Sequence, residues 1–330
     1  MLRNKTIKIF LNYFLGPLLF VGLGFSIFEQ IRHQPHLAQS WAQIKASFVS
    51  AKVLYLAAAV LLIFVNWGLE SRKWQLLVSA IKPLTFFRAY KAVLSGVSFS
   101  VALPNRVGEY IGRMMYQPEG SRLKIISLSV VGGLAQLLVT VAFGTVGLVV
   151  LKKEILVAYP QLVLWFQFLL YGLLFALAAI ALFYFNVSMV VGFFSRWLSN
   201  HHFLYLVEAL KNFNVAFLSK ILFLSSIRYG VFLAQYVILF HFFNVDVPVL
   251  TVIPVMSVVF LALAVVPSIA LLEVGLRGEI SLALMGLFST NSLGTGFTSV
   301  TVWALNLVIP AVVGTLFLLN LKAFSKNDEN

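Results

Sequence analysis

Apolar runs long enough to cross a bilayer recur along the whole chain, and they narrow its possible folds more than any other feature. A helix needs about 18 or more such residues to span hydrocarbon. Runs of this kind occupy 9–29, 52–69, 125–151, 161–186 and 221–243, with further apolar blocks at 249–266, 270–289 and 298–321, about eight segments in all. Backbone in lipid must satisfy its own polar groups, so such runs fold as helices. The expected fold is all-α: a polytopic membrane protein of about eight transmembrane helices plus re-entrant or broken helices. With 61% hydrophobic and 11% charged residues, a polar skin around a soluble globule is excluded.

The first run follows Arg3, Lys5 and Lys8 but precedes no small-residue cleavage site before "EQIRHQPH", so it reads as a retained span rather than a signal peptide. The absence of cysteine removes disulfides, thiolate metal sites and cysteine nucleophiles. A net charge of +13 matches anionic lipid headgroups better than nucleic acid in so apolar a chain.

One stretch breaks the pattern. In "KAVLSGVSFSVALP" only the 12 residues of 92–103 separate Lys91 from Pro104, about half a span. The segment is expected to enter and turn back, shielded by the other helices. Charge supports this: with 92–117 returning to its own side, 17 of the 24 basic residues, Arg72, Lys73 and Arg113 among them, fall on one face and five on the other. Arg228 and Arg277 stay within apolar segments. By the positive-inside rule the crowded face is cytoplasmic and holds both termini. Residues 249–289 then form either two spans or a hairpin broken at Pro267. Residues 1–330 read as one transmembrane domain, with an amphipathic stretch within 187–218 on the cytoplasmic interface and a short cytoplasmic tail at 322–330.

Two charged clusters stand out. In "PNRVGEYIGR", Arg106, Glu109 and Arg113 share one helix face after Pro104, while Gly108 and Gly112 permit close approach of another backbone. Such arginines can grip a phosphate, with the glutamate holding or yielding them. The competing reading is an interfacial helix that merely obeys the positive-inside rule. The second cluster, "PSIALLEVGLRGE", follows Pro267 with Glu273, Gly275, Arg277 and Glu279 deep in an apolar block. Charges there should face the bundle interior; the competing reading is a Glu273–Arg277 bridge that only steadies its own helix. Each cluster runs apolar segment, proline, then charges and glycine, and the two prolines stand 163 residues apart, about half the chain. Opposed broken elements in two halves suggest an inverted repeat with a site where they meet. Arg228 and Gln136 are further polar candidates, Arg228 being expected to snorkel to the interface. His201 and His202 lack a third ligand, so no metal is expected.

At "LPNRVGEYIGR" the sequence resembles the lysylphosphatidylglycerol synthase transmembrane (flippase-like) family, whose first signature is matched by Pro104, Arg106, Gly108, Glu109 and Arg113. "NWGLESRKWQLLV" at 66–78 is similar to that family's tryptophan-and-arginine segment. The second signature is matched through Pro267, Gly275, Arg277 and Glu279, with "PSIALLEVG" replacing the Pro-Gly-Gly turn and an extra glycine between Arg277 and Glu279. The resemblance implies movement of a polar lipid or lipid-linked headgroup between leaflets of a prokaryotic inner membrane. It leaves no room before Asn330 for the synthases' soluble transferase domain.

The leading expectation is therefore lipid translocation, with Arg106, Arg113 and Arg277 binding an anionic headgroup and Glu109, Glu273 and Glu279 balancing them. Pro104, Gly108, Gly112, Pro267 and Gly275 would shape the backbone. No cofactor is expected, because no nucleotide-binding loop is present. The expected partner is a phospholipid or lipid-linked headgroup in the membrane, not nucleic acid. A second copy or a lipid-modifying enzyme would be its protein partner. Two alternatives stay open: an intramembrane transferase or hydrolase using Glu109 or Glu279 as base, and an assembly factor whose charges serve only helix packing.

Overall fold

The computed structural model describes residues 16–79, 81–102, 107–117, 122–190, 210, 213–266 and 270–327. Pro104, Arg106, Pro267, the histidine pair and most of the amphipathic 187–218 stretch lie outside them. The described residues form helices and no strand. In chain order these are α1 (Gly16–Arg32), α2 (Leu37–Phe48), α3 (Val53–Ser79), α4 (Phe86–Ala102), α5 (Val107–Met114), α6 (Arg122–Val150) and α7 (Lys152–Ala158). They continue with α8 (Val163–Phe185), α9 (Val215–Phe242), α10 (Val249–Val265), α11 (Ala270–Met285), α12 (Ser292–Trp303) and α13 (Ile309–Asn327).

Five described helical segments are long and apolar enough to cross a membrane: Val53–Ser79, Lys124–Val150, Pro160–Phe185, Val215–Phe242 and Ser292–Leu319. They coincide with five of the expected spans. Helix α10 is shorter, at 17 residues, and α11 has 16. On α8, Trp165, Phe168, Phe175 and Leu182 point outward, as lipid-facing side chains should. The chain is an integral membrane protein.

Local chemistry sets several boundaries. Helix α9 starts at Asn214, whose side chain accepts from the Phe217 N–H at 2.8 Å, and α12 starts at Asn291, which accepts from Gly294 at 2.9 Å. Between α12 and α13 the rod widens into a π-turn, Ala304–Val308. Pro310 follows it and has no N–H to give the Asn306 carbonyl, so the ordinary ladder cannot close there.

Helix α5 folds back along α4. A Cβ on Gly108 would lie 2.1 Å from the Phe99 carbonyl carbon, and one on Gly112 would lie 2.3 Å from the Gly96 nitrogen. As α5 advances its contacts retreat along α4, so the two are antiparallel and touch backbone to backbone. Only glycine at 108 and 112 allows this. Helix α13 packs on the same α4, α9 on α3, α10 on α6, and α11 on α1, α10 and α12.

Candidate functional site

Helix α3 runs ten residues past the apolar segment that announces it. Trp67, Glu70, Ser71, Trp74, Leu77 and Val78 are all buried at helical spacing, which holds the extension against its neighbours. Lys73, expected on the cytoplasmic face, is therefore carried into the bundle together with Glu70, with side chains 4% and 7% exposed.

Around Glu70 three helices converge. Its carboxylate ion-pairs with Lys73 at 2.7 Å, Arg113 of α5 at 3.0 Å and Arg228 of α9 at 3.3 Å. Arg113 also bonds Glu109 at 3.2 Å and stacks over Trp74 at 4.8 Å. Arg228 lies over Trp67 and Phe232, each at 5.3 Å. The snorkelling expected of it does not occur, and α9 explains why. Arg228 sits 13 residues into a 28-residue helix, about 20 Å from either end at 1.5 Å per residue, beyond the reach of its side chain.

From Arg228 a buried chain of hydrogen bonds crosses the bundle. Its Nε donates to Asn66 Oδ1 at 2.8 Å, Asn66 Nδ2 donates to Asn306 Oδ1 at 2.7 Å, and Asn306 Nδ2 donates to Gln235 Oε1 at 2.9 Å. Gln235 ends the chain by donating to the Ala59 carbonyl at 3.0 Å. The π-turn is what presents Asn306 to both α3 and α9.

The second cluster approaches from α11. Arg277 donates to Glu273 at 2.7 Å and to the Tyr236 hydroxyl at 3.0 Å. Both clusters open onto one cavity of about 170 Å³, whose wall includes Glu70, Lys73, Glu109, Arg113, Arg228, Glu273 and Arg277. At 10–15 Å³ per water this is space for on the order of ten water molecules. Four cationic side chains face three carboxylates, a surplus of one positive charge among the described residues. Five donors on the wall find no acceptor among the described residues: Arg113 Nε, Arg277 Nε, Trp67 Nε1, Trp303 Nε1 and Ser129 Oγ. Buried donors normally have partners, so this cavity is suited to a group rich in acceptor oxygens.

The structure thus brings Glu109, Arg113, Glu273 and Arg277 to a common cavity. It does not bring Glu279 there. That residue, 200° further round α11, faces α1 and accepts from Gln30 at 2.8 Å and Ser26 at 3.1 Å. Gly275 packs against Leu23 of α1. Glu70, Lys73, Asn66, Gln235 and Asn306 were missed. Trp67, Glu70, Trp74 and Leu77, spaced by three or four, were the signal that α3 continues. Among the described residues no three histidine or carboxylate side chains gather as a metal ion requires.

Fold and cavity together define a polytopic α-helical membrane protein with a cationic, donor-rich chamber inside its helix bundle. The chain belongs to the family described as lysylphosphatidylglycerol synthase TM region, whose model matches residues 14–314. It is thereby a membrane protein of a lipid-handling family. No curated protein and no solved structure matches it.

Proposed function

We propose that the protein translocates a polar or anionic lipid, or a lipid-linked headgroup, between the leaflets of a prokaryotic inner membrane. The reading rests on one observation above all: two charged segments from opposite halves of the chain line a single cavity with a positive surplus and five unsatisfied donors. Arg113 and Arg277 offer the headgroup charge-assisted hydrogen bonds, joined by Arg228 and Lys73. Arg106, adjacent in sequence, extends that set. Glu109 and Glu273 keep the guanidiniums compensated between turnovers, and Glu70 holds the cationic wall together. Acyl chains stay in the bilayer while the headgroup passes through a polar path, which lowers a cost of several kcal/mol for an unpaired charge in hydrocarbon.

In this reading the α4–α5 hairpin is re-entrant from the cytoplasm, both termini are cytoplasmic, and α10–α11 is the opposed broken element of an inverted repeat. The test is loss of a headgroup-labelled phosphatidylglycerol signal to an outer-leaflet quencher in liposomes. Wild type should accelerate it, and Arg113→Gln and Arg277→Gln should abolish the acceleration while still eluting as folded protein. Equal rates for wild-type and empty liposomes would overturn the reading.

A further inference from the structure

The acceptors on the chamber wall are already engaged. Both Glu70 oxygens are taken, Oε1 by Arg113 and Oε2 by Lys73 and Arg228. Glu109 is bound to Arg113, and Glu273 to Arg277. Asn306 Oδ1 accepts from Asn66 at 2.7 Å, and Gln136 Oε1 faces the Arg228 guanidinium at 3.5 Å. Each carboxylate and side-chain amide described on the wall therefore turns an oxygen to a donor of the protein itself.

The donors are in the opposite state. Trp67 of α3, Arg113 of α5, Ser129 of α6, Arg277 of α11 and Trp303 of α12 each bring to the wall a buried N–H or O–H with no acceptor among the described residues. Two of these five are guanidinium Nε–H groups, whose outer nitrogens hold the carboxylates. The other three are neutral. Unmet donors thus reach one chamber from five helices.

This asymmetry sorts headgroups by chemistry. A phosphate diester brings acceptor oxygens and a negative charge, which meet the unmet donors and the surplus cation together. A primary ammonium brings three N–H donors, no acceptor and a further positive charge. On this wall it would give up its water for oxygens that the protein's own cations already hold, and burial without a partner is costly. A quaternary ammonium is held by open aromatic faces, but the wall's Trp67 and Phe232 rings already carry Arg228, each at 5.3 Å.

We propose that the chamber selects a headgroup that carries a phosphate and no amine. The Nε–H groups of Arg113 and Arg277 take its charged oxygens, and the Trp67, Trp303 and Ser129 donors take the neutral ester or hydroxyl oxygens beside them. That a lipid brings this group to the chamber rests on the translocation proposed above; the rejection of the amine rests on the wall alone.

The test is displacement of tail-labelled phosphatidylglycerol from the whole protein in detergent micelles, read by energy transfer from its tryptophans. Unlabelled phosphatidylglycerol and phosphatidic acid should displace the probe. Lysylphosphatidylglycerol, which differs from the first only by an aminoacyl group, and phosphatidylethanolamine should need about tenfold more, as one unmet buried polar group implies. Gln136→Glu, an isosteric change that adds a carboxylate to the wall, should narrow that ratio several-fold. Trp303→Phe, which keeps an aromatic ring and removes the N–H, should weaken phosphatidylglycerol several-fold, and it decides the point where Gln136→Glu does not fold. Equal displacement of the wild-type probe by phosphatidylglycerol and lysylphosphatidylglycerol overturns the proposal. A ratio unmoved by Gln136→Glu, with binding unmoved by Trp303→Phe, overturns its assignment to this wall. Glycerophosphoglycerol, the same headgroup without acyl chains, should displace only at far higher concentration; displacement as strong as the lipid's makes a free phosphodiester the ligand and overturns the lipid part. Selective binding in a protein whose liposomes show no translocation overturns the transport reading and upholds the headgroup class.

Discussion

Arg113 and Arg277 line the same cavity but are anchored differently. Arg113 is 5% exposed and tied to Glu70 on another helix, to Glu109 on its own and to the Trp74 ring. Through Glu70 it shares a carboxylate with Lys73 and Arg228, so α3, α5 and α9 are held by one charge cluster. Arg277 is 12% exposed, and its charge partner is Glu273, one turn away on the same helix; among the described residues Tyr236 is the hydrogen-bond partner that reaches it from another helix. The first arrangement fastens helices to one another. The second is an ion pair within α11, tied to α9 through the Tyr236 hydroxyl.

The contrast can be broken most sharply at Glu70. Glu70→Gln leaves three buried cations without their shared counter-ion and should cost about 3–5 kcal/mol, read as a large fall in thermal unfolding temperature in detergent. A fall no larger than that of Glu273→Gln would sink the distinction between the walls. Next comes Gly112→Val, whose side chain would run into the Gly96 backbone. Splitting the α4–α5 hairpin should cost about 3 kcal/mol or more, seen as loss of monodisperse protein. Asn306→Leu strands Asn66 and Gln235 and should cost about 1–3 kcal/mol, measured by the same unfolding curve. The smallest loss is expected for Glu273→Gln. Its carboxylate is 26% exposed and paired within one helix, so its stability cost should be about 1 kcal/mol or less, while translocation falls clearly in the quencher assay.

Much of this could be read before any coordinates. Apolar runs give helices directly, because lipid offers the backbone no other partner. The short 92–103 segment, ended by Pro104, gave the break, and Gly108 and Gly112 gave the close approach. The pairing of Glu109 with Arg113 and of Glu273 with Arg277 follows from i, i+4 spacing. The missing parts all depend on partners distant in sequence. Nothing near Glu70 in the chain marks it as the counter-ion of Arg113 and Arg228, and charges at 70–73 end the apolar run just as a loop would. Asn306 depends on a π-turn forced by Pro310 four residues later. Glu279 was grouped with Arg277 by proximity in sequence, but two residues on a helix point to nearly opposite faces.

The claim that both walls serve one headgroup is tested most directly by photo-crosslinking. A phosphatidylglycerol bearing a photoreactive headgroup would be reconstituted with the full chain, irradiated, and the modified peptides identified by mass spectrometry. Labels on the α5 peptide holding Arg113 and on the α11 peptide holding Arg277, both lost on competition with unlabelled lipid, are the expected result. Labels confined to surface loops, or to one of the two helices alone, would contradict a shared site.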